Sequence, residues 1–296
     1  MPDSYKIKNI LGNYLFVLPA VLLFCIFYIY PFFKVFQLSL YQWDGILPTM
    51  NFVGLGHFKE IFTYDKAWWQ SMLHAGYITF LALTFQNLLA LILALACDSD
   101  IRGAQAYKVI FYLPPALSGI VVGLLWEWIY NGNYGLLNHW LNGLGFGYIA
   151  RAWLADPNTA LTCVAIVHMW KGFGWGFIIL LAGLQGIPRE LYEAARVDGA
   201  NPWEAFRRIT LPLMAPVFVL VAILTILGTM QIYDIIVSTT NGGPGFHTEV
   251  PVTRILQSMR GSSQFGYACA QGLVFGAALF IISMLQMKFA KMVRQE

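Results

Sequence analysis

Charge is scarce in this sequence. Charged residues make up only 11% of its 296 positions, against about 25% in soluble domains, too few to clothe a water-soluble fold of this length. The formal net charge of +3 is too weak a field to grip nucleic acid. No Lys follows a Gly anywhere, so the phosphate-cradling signature G-x-x-x-x-G-K-[ST] is missing and any ATP must be bound by another polypeptide. H-E-x-x-H and G-x-S-x-G are missing too, and no motif marks the chain as an enzyme. Cysteine is sparse: Cys25, Cys97, Cys163 and Cys269 stand singly in apolar stretches, with no C-x-x-C pair and no His at ligand spacing. That pattern predicts buried, reduced packing residues and excludes a metal cluster. The apolar run Tyr14 to Phe33 follows Lys6 and Lys8, as in a signal peptide, but it is too long and has no small-x-small cleavage site, so it is expected to be a retained span.

Apolar residues fill 58% of the sequence. A helix needs about 20 mostly apolar residues to cross a hydrocarbon core of about 30 Å. Six stretches qualify: Tyr14 to Phe36, Met72 to Cys97, Lys108 to Tyr130, Ala160 to Leu184, Leu213 to Val237 and Tyr267 to Ala290. Because backbone groups in lipid must bond within their own segment, the expected fold is all-α, a six-span domain over 14–290 with tails at 1–13 and 291–296. Pro19, Pro114, Pro115, Gly172, Gly174 and Gly228 fall inside these spans and are expected at kinks or close helix contacts.

The distribution of Lys and Arg orients the spans. With both termini inside, the inner side carries Lys6, Lys8, Arg102, Lys108, Arg189, Arg196, Arg207, Arg208, Lys288, Lys291 and Arg294. The outer side carries only Lys34, Lys59, Lys66, Arg151, Arg254 and Arg260, and Lys171 lies within a span. The positive-inside rule selects this orientation.

The internal segment 185–212 reads QGIPRELYEAARVDGANPWEAFRRITLP. Pro188 suits a helix start and Gly199 its left-handed terminator. Asn201, Pro202 and Glu204 make a second capped start, and Pro212 is expected to open the next span. On the first helix, Leu191, Ala194 and Ala195 gather near one face, ringed by Arg189, Glu190, Glu193, Arg196 and Asp198. Composition alone fits two roles for that face, a docking surface or an amphipathic helix at the lipid headgroups.

Glu193-Ala194-Ala195, then Gly199, then Ile209-x-Leu211-Pro212, resembles the EAA loop of permease subunits in binding-protein-dependent ABC importers. The resemblance extends to Phe52-Val53-Gly54-Leu55 with Phe58, Leu113-Pro114, Trp170-Lys171 and Thr240-Asn241-Gly242-Gly243-Pro244, which are similar to the carbohydrate-uptake branch and its MalF-like subunits. Membership implies that Leu191, Glu193, Ala194, Ala195, Asp198 and Gly199 couple the chain to an ATPase. It implies as partners a different, MalG-like permease, two ATPase subunits that hold ATP and Mg, an external solute-binding protein and membrane lipid. It also implies a bacterial or archaeal cytoplasmic membrane and no cofactor in this chain. The chain lacks the additional N-terminal helices and large external domain of MalF, a trimmed plan shared by the glycerol-phosphate permease subunit.

Polar groups inside a span are costly and usually face an interior or a wet cavity. His168, Lys171 or Gly172, and Trp175 share one side of the fourth span by helical spacing, and an aromatic beside hydrogen-bond donors suits a sugar. By resemblance, the maltose-contacting positions of MalF fall on His168, Lys171, Gly172 and Trp175, near Ser118 and Gly119, and around Gly228, Thr229 and Ile232. Gln231, Tyr233 and Asp234 are further candidates for the solute path. The competing reading is helix packing with a structural hydrogen bond from His168. Lys171 raises an anionic solute as an alternative to a neutral sugar. An ion-coupled transporter is the rival class and a non-transporting scaffold a weaker one, but Asp98, Glu127 and Asp234 lie near span ends, where a mid-membrane coupling carboxylate is not expected.

Overall fold

A computed structural model describes residues 14–98 and 103–295. The N-terminal tail with Lys6 and Lys8, and Arg102, lie outside the described residues. The elements in chain order are α1 (Tyr14–Leu38), β1 (Tyr41–Gln42), β2 (Asn51–Phe52), α2 (Gly56–Thr63), α3 (Lys66–Asp98), α4 (Ala104–Ala116), α5 (Gly119–Ile129) and α6 (Leu136–Gly143). They continue with α7 (Ala160–Gln185), α8 (Arg189–Val197), α9 (Pro202–Met230), α10 (Asp234–Thr239), α11 (Pro251–Arg260) and α12 (Phe265–Gln295). The all-α expectation holds, with one two-stranded hairpin among the described residues.

Among the described residues five helices, α1, α3, α7, α9 and α12, are individually long and apolar enough to cross a membrane. The sixth expected span is broken. Where the sequence predicts one helix over Lys108 to Tyr130, α4 and α5 meet at 93°. Pro114 and Pro115 remove two backbone donors at the end of α4, and Leu117 and Ser118 turn extended, with ψ of 146° and 137°. The Phe111 carbonyl, which loses its helical donor to Pro115, lies against Gly174 of α7, where a Cβ would also fall 2.6 Å from Pro115 Cγ. Gly174 is therefore a close contact and not a kink, as is Gly172; α7 runs on through both. A Cβ on Gly228 would meet nothing within 4 Å.

The fifth span also departs from expectation. It begins at Pro202 and runs through Pro212 without a break. A single π turn, Phe206–Thr210, lets the Leu211 N–H reach back to the Phe206 carbonyl, and the shifted register accommodates a proline that cannot donate. α1 does the same, its Tyr30 N–H bonding the Cys25 carbonyl just before Pro31. At its other end α9 stops at Met230, not Val237.

The chain forms two compact units. One takes in the described residues up to Asp65 with Ile255–Ala277. Its hairpin pairs Tyr41 with Phe52, and the Asp44 carboxylate accepts from the Ile46 and Leu47 N–H groups at 2.9 Å each. Those two donors hold the Asp44 carboxyl below the usual carboxylate range. The Tyr267 hydroxyl donates to Asp65 at 2.7 Å. No residue in the apolar window of α1 is buried, as suits a helix whose neighbours are lipid or another subunit.

The other unit, Lys66–Arg254 with Ala278–Glu296, has α7 at its centre, with half of its apolar window buried. Ala90 and Ala94 of α3 meet Phe177, Leu180 and Leu184 of α7 and Met214 and Val221 of α9. Lipid tails are as apolar as Leu, so close approach of small residues does more here than hydrophobicity. Gly119 and Gly123 of α5 receive the side chains of Asp234 and Ser238 of α10 in the same four-residue register. Across α3 and α9, Thr79 and Thr229 share a 2.7 Å hydrogen bond and Thr225 donates to Asn87 at 3.1 Å. Such bonds contribute about 0.6 kcal/mol each in a membrane, so packing dominates and the bonds fix register.

Candidate functional site

Two places gather the residues singled out in the sequence. The first is a cavity of about 600 Å³ bounded by α3, α7, α9 and the segment joining α9 to α10. It exists because α9 ends at Met230 and the chain turns through Gln231 to Tyr233 before α10 begins. α7 contributes His168, Lys171, Gly172 and Trp175, one helical stripe, and Gln231 and Asp234 line the opposite side. The Trp175 ring is positioned edge-on by Tyr112 of α4, 5.4 Å between centroids. Lys171 and Asp234 both line the cavity yet form no ion pair within 4 Å among the described residues. A cation, a carboxylate, an imidazole and an aromatic face thus border one largely apolar space, a lining able to orient a polar solute.

Gly228 and Ile232 line the same cavity, and the other expected positions lie elsewhere. Thr229 is 1% exposed and bonded to Thr79 and to the Thr225 carbonyl, so it packs α9 on α3 and does not line the cavity. Ser118 is exposed at the head of α5, Gly119 is covered by Asp234, and Tyr233 is half-buried outside the lining. Asp234 is not merely at a span end; it faces the cavity. Among the lining residues not singled out in the sequence is Gln86 of α3, 6% exposed, whose amide oxygen would lie 2.7 Å from a Cβ on Gly172. Its only signal is an amide pair, Gln86-Asn87, inside an apolar run.

A wider, more open cleft of about 1130 Å³ lies beside α5 and α6, lined by Trp126, Trp128, Tyr134 and Asn142. The Asn138 amide in its wall is spent on the Gly132 and Arg151 carbonyls and the Trp153 indole. None of the charged or imidazole groups of the first cavity reaches this cleft.

The second place is α8 and its flanks. No residue of α8 is buried. Gly199 adopts φ +84°, and its N–H bonds the Arg196 carbonyl while the Ala200 N–H bonds that of Ala195, a Schellman ending that requires the left-handed conformation. Asn201 and Glu204 then cap α9 reciprocally at 2.9 and 3.0 Å. The Tyr192 hydroxyl bonds Thr210 at 2.8 Å, and Ile187, Tyr192 and Ile209 tie the base of α8 to the α3–α7–α9 core. The free side carries Leu191 and Ala194 together with Val197, 88% exposed. Glu193 and Asp198 are also exposed, while Ala195 is half-buried. Val197 and Trp203, the latter stacked on Phe206 at 5.6 Å, were not among the expected residues; the three-residue spacing of Leu191, Ala194 and Val197 is the signal for the first. The helix thus presents an exposed face, ends in a fixed left-handed turn and is tied at its base to three spans.

The Thr240-Asn241-Gly242-Gly243-Pro244 element is a folded turn. Thr240 and Thr248 share a 2.7 Å hydrogen bond, Thr248 donates to the Gly243 carbonyl at 2.7 Å, and Asn241 and Gly242 take positive φ of 49° and 86°. A Cβ on Gly242 would lie 3.0 Å from Glu249.

Comparison with known proteins bears on the whole chain. Residues 86–294 match the family described as binding-protein-dependent transport system inner membrane component. The chain is 33% identical to the probable ABC transporter permease protein YurN of Bacillus subtilis over 98% of this chain and 99% of that one. It is 34% identical to the trehalose/maltose transport system permease protein MalF of Thermococcus litoralis over 83% and 82%. It is 30% identical to the sn-glycerol-3-phosphate transport system permease protein UgpA of Agrobacterium fabrum over 98% of each. In fold it is similar to a chain of a bacterial ABC transporter involved in the import of the acidic polysaccharide alginate, with a TM-score of 0.85, 22% identity and coverage of 98% and 99%. The spans, the exposed α8 and these likenesses agree, and the chain belongs to the inner-membrane permease components of binding-protein-dependent ABC transport systems.

Proposed function

We propose that this chain is one of two different permease subunits of an ATP-driven importer for a saccharide, and that it uses the α7–α9 cavity as its share of the solute path and α8 as its lever. In this reading both termini face the cytoplasm of a bacterial or archaeal cell. α8 seats on one of two ATPase subunits that hold ATP and Mg. A MalG-like permease completes the path, and an external binding protein delivers the solute. The observation that carries the reading is α8 itself, an exposed small-residue helix with a rigid ending, rooted in the helices that bound the cavity. The saccharide assignment is supported by relatives described as permeases for trehalose/maltose, starch degradation products and diacetylchitobiose, and by an aromatic face beside polar groups in the cavity.

A second reading within the same class is an anionic solute such as a sugar phosphate. The observation in its favour is Lys171, which faces the cavity without an ion-pair partner among the described residues, together with the relatives described as sn-glycerol-3-phosphate permeases.

Native mass spectrometry of the purified assembly tests the composition. The expected complex holds one copy of this chain, one different permease and two ATPase subunits. A stable, transport-active homodimer of this chain would overturn it.

A further inference from the structure

The least explained group beside the cavity is Gln86. Its side chain is 6% exposed, it lines the cavity, and its amide oxygen has no hydrogen-bond partner among the described residues. An unpaired buried acceptor is costly and is ordinarily matched by something. The local structure is arranged to present it. Gln86 closes a π turn, Ala82–Gln86, in α3. A turn of this kind adds a residue to the helical register and recurs at functional sites. The neighbouring Asn87 is engaged elsewhere, accepting from Thr225. Opposite Gln86, α7 carries Gly172, where a Cβ would stand 2.7 to 3.0 Å from the amide group. Any side chain at 172 would occupy the space that the Gln86 amide uses to reach the cavity. His168, Lys171 and Trp175 surround the same volume.

We propose that Gln86 is a specificity-determining residue of the solute path, its side-chain amide hydrogen-bonding a hydroxyl of the passing saccharide. The proposal rests on the cavity being that path. A hydroxyl both donates and accepts, so it satisfies this amide in either of its two orientations. A carboxylate or phosphate oxygen could accept only from the amide NH2 and would leave the amide oxygen unpaired, and a purely apolar surface would leave the whole amide unpaired. The inference therefore favours a polyhydroxylated ring over an anion at this point of the cavity, with Lys171 left to a different part of the solute.

The test uses the complete assembly in proteoliposomes. The solute is whichever of maltose, trehalose and diacetylchitobiose its own binding protein holds, together with singly deoxygenated analogues of that disaccharide. Gln86→Met keeps the length of the side chain and removes the hydrogen bond; Gln86→Leu serves the same end should Met disturb assembly. Wild-type protein is expected to transport one deoxy analogue about tenfold more slowly than the parent sugar, and Gln86→Met to remove that difference while slowing the parent by a similar factor. Uniform slowing of parent and analogues by Gln86→Met, or unchanged ratios, would overturn the proposal and assign Gln86 to packing. His168→Ala and Trp175→Ala are run alongside. If they slow uptake while Gln86→Met leaves every ratio at wild type, only the Gln86 assignment falls. If all three transport normally, the cavity is not the path.

Discussion

Gly199→Val is expected to abolish solute-stimulated ATP hydrolysis or release the ATPase while leaving the protein inserted in the membrane. The residue sits at φ +84° with open space around it, so the defect is conformational and not steric crowding. A β-branched side chain in that region costs about 1 to 3 kcal/mol. It would be relieved by unwinding the Schellman ending that fixes the angle between α8 and the Asn201–Glu204 cap. Gly199→Asn, which tolerates the left-handed conformation, is expected to retain most of the activity. Replacing Ala194 with Leu or Trp should give the same uncoupling by a different route. Ala194 is exposed on α8, so a larger side chain leaves this chain's own packing alone and overfills only a docked surface, at about 1 to 3 kcal/mol. Pull-down of the ATPase and hydrolysis with and without solute separate the outcomes. Normal association, hydrolysis and uptake in both variants would remove α8 from the mechanism.

His168→Ala and Trp175→Ala are expected to lower uptake about fivefold or more each, without loss of assembly. Trp175 is 55% exposed in the isolated chain and held edge-on by Tyr112, so truncation removes a stacking face without opening the α3–α7–α9 core. His168 lines the cavity from two turns away. Loss of an aromatic contact and of a hydrogen bond is worth about 1 kcal/mol apiece, more where water is excluded. Uptake assays paired with size-exclusion profiles of the solubilised complex check both halves. Wild-type uptake would favour the packing role of this stripe, and lost assembly would show that the side chains hold the helices together.

Much of this architecture was legible because it is encoded locally. Apolar runs set the spans, and the Pro188, Gly199 and Asn201–Glu204 punctuation places a helix where α8 is found. The stripe of His168, Lys171, Gly172 and Trp175 needs only helical periodicity. What escaped depends on the partners of each helix. Pro114 and Pro115 read as a kink, but the 93° turn also needs α10 to receive α5 through Gly119 and Gly123. Pro212 reads as a helix start, and only the π turn before it allows α9 to run straight through. Thr229 and Gly228 are neighbours about 100° apart around the helix, and the side facing the cavity is settled by the approach of α3 to α9. Gln86 has the same origin: its sequence surroundings are a lipid-like run, and its role is visible only once Gly172 is brought against it.

The most direct test of the importer assignment is uptake in proteoliposomes containing this chain, its partner permease and the ATPase, with the binding protein supplied at the outer face. Solute accumulation is expected only when ATP and binding protein are both present, and to be indifferent to proton and sodium gradients. Accumulation driven by an ion gradient without ATP, above all by this chain alone, would contradict it.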